Sequence, residues 1–215
     1  MFGCYSFPNH VLAKRDDLGN GVEAASLRTA LAEELPSVHW EFVQGCPIRD
    51  EDRSELPAAV TAAVDADLTV LVVGDKAGMF GIGTSGEGCD VEDLRLPGVQ
   101  EELAEAVLAT GKPVVLIVNS GRPYAVGRFA SAAAAMVQVF LPGEEGGRAV
   151  ARLLSGRANF SGKLPVQIPL SPGGQPYTYL HPPSATGRVS FRTSTPRPRS
   201  RSGTGCRTPR SRPTC

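Results

Sequence analysis

No part of the chain is apolar over the ~18–20 residues that a membrane helix needs, and the longest mixed apolar stretch lies around Ala130–Phe140. Paired cysteines at metal-ligand spacing are missing as well. The five cysteines (4, 46, 89, 206 and 215) are scattered and odd in number and form no CxxC, so neither a zinc site nor a disulfide framework is expected. The three histidines, 10, 39 and 181, share no ligand or triad spacing. No GxxxxGK[ST] occurs, and Ser120 in NSGRP is not the GxSxG of a serine hydrolase. Metal, phosphate, hydride and serine-nucleophile chemistry each lack a site, so no metal and no cofactor are implied. The first residues, MFGCYSFPNHV, have neither a basic segment nor a continuous apolar one. No signal peptide is expected in them, and the cytoplasm is the favoured compartment.

Acid is absent from one end. After Pro183 there is no Asp, Glu or Lys, while residues 184–215 hold eight of the 22 basic residues, all arginine. The remaining fourteen basic residues face 22 acidic ones, so residues 1–183 carry a net −8 and the tail +8. The tail has almost no large apolar residue after Phe191 and cannot bury enough surface to offset its ordering entropy, so disorder is expected over 184–215. It has no aromatic residues interleaved with its arginines to stack bases, and it follows an acidic body; nucleic acid is not an expected partner. Its Arg/Pro/Ser/Thr/Cys composition is what a GC-rich message gives out of frame, and a shifted reading frame is the expected cause.

With 41% hydrophobic and 20% charged residues, a chain of 215 residues is long enough for one domain with a real core. Periodicity gives alternating elements. Helices are expected over 22–35, 55–67, 99–111 and 144–156, with Pro36 as a stop and Pro57 in a first turn. Strands are expected over 37–45, 68–74, 113–121 and 134–143, with a short extended piece at 162–170. LTVLVVG and PVVLIVNSG are continuous apolar runs of the kind buried on both faces. The pattern predicts an α/β fold: a three-layer α/β/α sandwich with a mostly parallel sheet, whose ligands meet the loops after the strand carboxyl ends.

One such loop holds GDKAGMFGIGTSGEGCD, residues 74–90. Gly81, Gly83 and Gly86 match the dinucleotide pattern GxGxxG. That pattern needs its glycines directly after the strand and a helix starting within it. Here the strand ends seven residues before Gly81, and the following segment carries Glu87, Asp90, Glu92 and Asp93, which repel phosphate. A nucleotide loop is therefore not supported. The five glycines at 78, 81, 83, 86 and 88 give instead a loop that can approach a bulky ligand closely, with Glu87 near its tip. A glycosidase needs such a carboxyl group to protonate a leaving oxygen. From the residues alone, Glu87 reads as a solvated loop carboxylate or as a proton donor.

A longer pattern bears on this choice. Glu87-Gly88, Asp90, Leu94-Arg95-Leu96-Pro97-Gly98, Gln100, Gly111-Lys112-Pro113-Val114-Val115 and Ser120-Gly121-Arg122-Pro123 follow one another, with PGEEGGRAVARLLSGRANFSGKLPVQIP after them and GCYSFPNHV before them. Over about residues 2–183 this resembles the C-terminal domain of glycoside hydrolase family 3, the β-glucosidases, β-xylosidases and relatives. The resemblance implies retaining hydrolysis of terminal β-linked glucose or xylose. It assigns the general acid/base to Glu87 and places the nucleophilic aspartate on an N-terminal TIM-type barrel that this chain lacks. The expected partners are a β-linked oligosaccharide or glycoside and that barrel, with no nucleic acid and no membrane. Alone, the chain is expected to be inactive. The other function class is a non-catalytic carbohydrate- or nucleotide-binding module of flavodoxin type. Two departures stand out: Val91 occupies a position that is often arginine in the family, and the resemblance stops near Pro183.

Other residues are weighed beside Glu87. Asp75 follows the strand 68–74 and is a candidate for the sugar site or for capping local amides. Asp90 is expected to support the Glu87 loop through backbone amides, and Arg122 to anchor a turn or pair with an acid. Trp40, the only tryptophan, lies in the alternating segment 37–45 and is expected in the core rather than as a sugar platform.

Overall fold

The computed structural model describes residues 1–10, 17 and 22–173. The Arg-rich tail, its expected boundary at residue 183, His181, Cys206 and Cys215 lie outside the described residues.

A one-turn helix α1 (Phe7–His10) precedes α2 (Leu27–Glu34), α3 (Leu56–Asp65), β1 (Thr69–Gly74), α4 (Gln100–Leu108), β2 (Val114–Asn119), a 3₁₀ turn (Gly127–Ser131), β3 (Ala135–Gln138) and α5 (Gly146–Leu154). Each expected helix forms but is shorter than its periodic stretch. The start of α2 shows why: Ser26 has extended backbone and its Oγ accepts from Thr29 N at 3.0 Å, which fixes the N-cap four residues inside the apolar pattern. Pro57 sits in the first turn of α3, where its missing N–H costs nothing.

The three strands are parallel in the order β1-β2-β3, with Thr69 opposite Val114 and Val115 opposite Ala135. Alternation along β2 separates two cores. Val114, Leu116 and Val118 point to one face and pack with Leu103, Ala104 and Val107 of α4 and with Ala63 of α3. On the opposite face, Val70 joins Ala30 and Leu31 of α2, Ala151 and Leu154 of α5, and Trp40. Helices α2 and α5 pack on each other, as do α3 and α4. The result is the expected three-layer α/β/α arrangement, in which each fully buried aliphatic side chain contributes about 1.5–3 kcal/mol.

The expected strand 37–45 does not form. Its alternation survives in side-chain placement, since Trp40 and Phe42 stack at 6.1 Å and 18°, with the Arg28 guanidinium 4.2 Å above Phe42. No ladder joins it to β1, however. At Gly74 the backbone groups facing that open edge are taken by the Gln100 side chain. Val72 is accordingly 48% exposed, and burial on both faces, expected for β1 and β2, holds only for the central β2. Trp40 is half-buried and packs against the small core between α2 and α5, so the core position expected of it is reached in part. The piece 162–170 forms no strand; Ile168 plugs the larger core, and the Pro169 carbonyl accepts from Gly127 N at 3.0 Å.

Candidate active site

The carboxyl ends of the three strands converge. Asp75 follows β1, Ser120-Gly121-Arg122 follow β2, and Gln138 ends β3, donating through Nε2 to Ser120 Oγ at 3.0 Å. Ser120, wholly buried, donates in turn to the Arg122 carbonyl at 2.7 Å. The loop above this edge carries Glu87.

That loop is a folded body. Lys76 O accepts from Thr84 N at 2.8 Å, Lys76 N donates to Thr84 Oγ1 at 2.8 Å, and Gly78 N donates to Ser85 O at 2.9 Å. The glycines serve this crossing of the chain over itself. A Cβ on Gly83 would lie 2.4 Å from Lys76 O and 2.5 Å from Gly78 N; one on Gly86, whose φ is +111°, would lie 2.2 Å from Gly78 O. The close approach expected toward a ligand is made here between two stretches of the loop itself. No helix begins inside Gly81–Gly86, and the next starts at Gln100, so the dinucleotide arrangement is absent. The chain then turns at 86–89, where Cys89 N donates to Gly86 O at 3.1 Å. Glu87 stands exposed on this turn.

Arg122 grips the turn from below. Its two terminal nitrogens donate to the carbonyl oxygens of Thr84 and Cys89, which bracket Glu87 on both sides. The planar fork of a guanidinium suits two acceptors at fixed separation better than an ammonium would. Beside it, Asp75 is only 5% exposed. Its Oδ2 accepts from Gly121 N at 3.0 Å and from Tyr124 Oη at 3.4 Å, while Oδ1 is buried with no hydrogen-bond partner. Burial pushes the Asp75 carboxyl above its usual 3.8, against the opposing pull of the Gly121 amide, Ser85 and the Arg122 charge. Burial and the neighbouring Asp75 push the Tyr124 phenol up to about 12.

The site residues named from sequence thus separate by depth. Glu87 is at the surface, Arg122 is half-buried beneath it, and Asp75 lies deeper still, its carboxylate turned under the loop rather than toward open solvent. Asp90 is exposed and makes no hydrogen bond among the described residues; it lines a cleft of about 390 Å³ with Thr84, Glu92, Asp93 and Arg95. The support of the Glu87 loop through backbone amides expected of it is not seen among the described residues; the nearby Asp93 caps its own turn, its Oδ1 accepting from Arg95 N at 2.8 Å.

Sequence reasoning missed two contributors. Gln100, 4% exposed, ties Gly74 to Ile48 and Pro97, and its only signal was its place after Leu-Pro-Gly. Tyr5 donates its phenol to Glu87 Oε2 across 82 positions of chain. Apart from its place in GCYSFPNHV, nothing in the sequence pointed to Tyr5.

A parallel α/β sandwich that presents one exposed carboxylate on a clamped loop at its carboxyl edge defines a class, and comparison with known proteins gives the family. The Glycosyl hydrolase family 3 C-terminal domain matches residues 3–199, running past Pro183 where the motif resemblance ends. The chain belongs to that family. It is 37% identical over 163 residues to a beta-xylosidase of Formosa agariphila, covering 74% of this chain and 22% of that protein. It is 41% identical over 123 residues to a periplasmic beta-glucosidase of Salmonella typhimurium, covering 57% of this chain and 15% of that one. Among solved structures, a beta-glucosidase from Listeria innocua in complex with isofagomine superposes with a TM-score of 0.71 at 31% identity, over 86% of this chain and 26% of the other. The chain therefore spans about a fifth of the length of the curated relatives it matches.

Proposed function

We propose that this chain is the acid/base-supplying domain of a retaining β-glycosidase that releases terminal β-linked glucose or xylose. Glu87 is the proton donor to the leaving oxygen and later the base that activates water. The nucleophilic carboxylate belongs to a TIM-type barrel domain, and retention requires it within about 5–5.5 Å of Glu87. The domain is inactive without that barrel, because retention needs the second carboxylate that the barrel carries.

One observation carries this reading: Glu87 is exposed while the turn that bears it is fixed at both ends by Arg122. An acid that must meet a partner on another domain has to be outward-facing and still held in place. Arg122 acts as the support of that turn. Asp75 works from underneath, as the anion that balances Arg122, and contact between Asp75 and sugar would require the loop to lift. Asp90 lines the adjoining cleft.

The test joins this chain to a barrel-containing half of a family relative and assays aryl β-glucosides and β-xylosides. Glu87→Gln should lower kcat by about 10²–10⁴-fold, the scale of acid–base assistance. A non-catalytic binding module would show no dependence of turnover on Glu87, and that result would sink the proposal.

A further inference from the structure

The N-terminal segment is locked against the Glu87 turn. Ser6 N and Ser6 Oγ both donate to Gly3 O, at 3.1 and 2.6 Å, and Asn9 Nδ2 donates to Phe2 O at 2.9 Å and to Gly3 O at 3.1 Å. Gly143 N donates to Met1 O at 3.1 Å, which pins the start of the segment to the loop after β3. Cys4 packs so closely on the turn that a Cβ added to Gly86 would lie 2.9 Å from Cys4 Cβ. The next side chain, Tyr5, is thereby set over Glu87, and its phenol donates to Oε2. Glu87 Oε1 carries no hydrogen bond among the described residues.

We infer that Tyr5 is a positioning residue for Glu87: its phenol donates to Oε2, so the transferable proton resides on Oε1, the oxygen that the phenol leaves free. The inference rests on the proposed acid/base role. A carboxyl group has two nearly equivalent oxygens, and a side chain on an exposed turn samples several rotamers. A fixed O–H donor to one oxygen removes both ambiguities, because the oxygen that accepts from Tyr5 is the one without the proton. In the first chemical step the proton leaves Glu87 Oε1 for the glycosidic oxygen, and the C–O bond breaks with its electron pair going to the leaving alcohol. The sugar carbon bonds to the barrel's nucleophile, and Glu87 is left as a carboxylate. The Tyr5 phenol then faces full negative charge, where a charge-assisted hydrogen bond is strongest. The phenol itself is already raised above its usual 10, first by this hydrogen bond and then by its own desolvation and the Glu87 charge, with a smaller contribution from Cys4.

Two measurements test the inference. In the 215-residue chain, ultraviolet titration of wild type minus Tyr5→Phe isolates Tyr5 from the other three tyrosines. Its midpoint should fall when Glu87→Gln is introduced, and an unchanged midpoint overturns the contact. In the barrel-joined enzyme, Tyr5→Phe should lower kcat by roughly tenfold on an alkyl β-glycoside, whose leaving group needs a proton, and leave a dinitrophenyl glycoside unchanged. A merely structural role would lower both alike, and a rise in KM for both at constant kcat would mean that Tyr5 binds sugar; either result overturns the inference. If Glu87→Gln keeps full turnover, the proposed function falls and this inference falls with it. If Glu87→Gln is inactive while Tyr5→Phe matches wild type on both glycosides, the inference alone falls.

Discussion

Gln100 completes the hydrogen bonding of Gly74 with both halves of its side-chain amide. Its Oε1 accepts from Gly74 N and its Nε2 donates to Gly74 O, each at 2.7 Å. The side chain thus satisfies at the last residue of β1 what a neighbouring strand would otherwise satisfy, and it ties that strand end to the first turn of α4. The Glu87 loop departs from this point, so the pairing sets where the loop begins.

Gln100→Leu should be among the more damaging substitutions in the domain. It keeps volume but orphans the N–H and C=O of Gly74 in a buried place, at about 1–3 kcal/mol for each unsatisfied group. Chemical denaturation should show the midpoint falling with the slope unchanged. A loss below about 0.5 kcal/mol would mean that water replaces the amide.

Removing the Arg122 fork acts on the loop rather than on the core. Arg122→Met frees the carbonyls of Thr84 and Cys89. Amide exchange at 84–89 should accelerate while β2 stays protected, because the core strands open only with the whole domain. In a barrel-joined enzyme kcat should drop about 10–10²-fold, since small misplacements of a catalytic group are expensive. Arg122→Lys should restore only part of this, as one ammonium cannot span both acceptors in the same plane.

Asp75 gives the domain a pH-dependent stability of defined sign. Its folded-state pKa is raised by burial above the usual 3.8, so the folded domain binds the proton more tightly than the unfolded chain does. The contribution is fully present below the unfolded value and is lost as pH rises through the folded one. Compared with Asp75→Asn, wild type should therefore lose stability with rising pH across the window that starts near 3.8 and ends at the raised value, then stay level. Thermal melts of the two proteins between pH 4 and 8 would check it. A wild-type advantage growing with pH would contradict the burial account.

Much of the fold was legible in the chain, and for physical reasons. The apolar runs 68–74 and 113–119 are strands because β-branched residues without polar interruption fit a sheet covered by helices. The helices were legible from their 3.6-residue spacing, and Pro36 and Pro57 marked two of their ends. The exposed position of Glu87, flanked by two glycines, was also legible, because a charged residue between glycines has little to bury it. Segment 37–45 was not: its alternation is real, as the Trp40–Phe42 stack shows, but alternation fixes which side a residue faces and not whether a neighbour's backbone groups are free to pair.

By itself the sequence determined the helices, the strands within 68–74, 113–121 and 134–143, the parallel sense of the sheet and the placing of one glutamate on a loop at the strand ends. These follow from periodicity and backbone preference, which act over a few residues. Only the tertiary structure decided what holds that glutamate: Arg122 from 35 positions further along the chain, with the buried Asp75 beside it, and Tyr5 from 82 positions before it. Hydrogen bonds and burial depend on distance in space, and spacing along the chain carries no record of which distant side chains will share it.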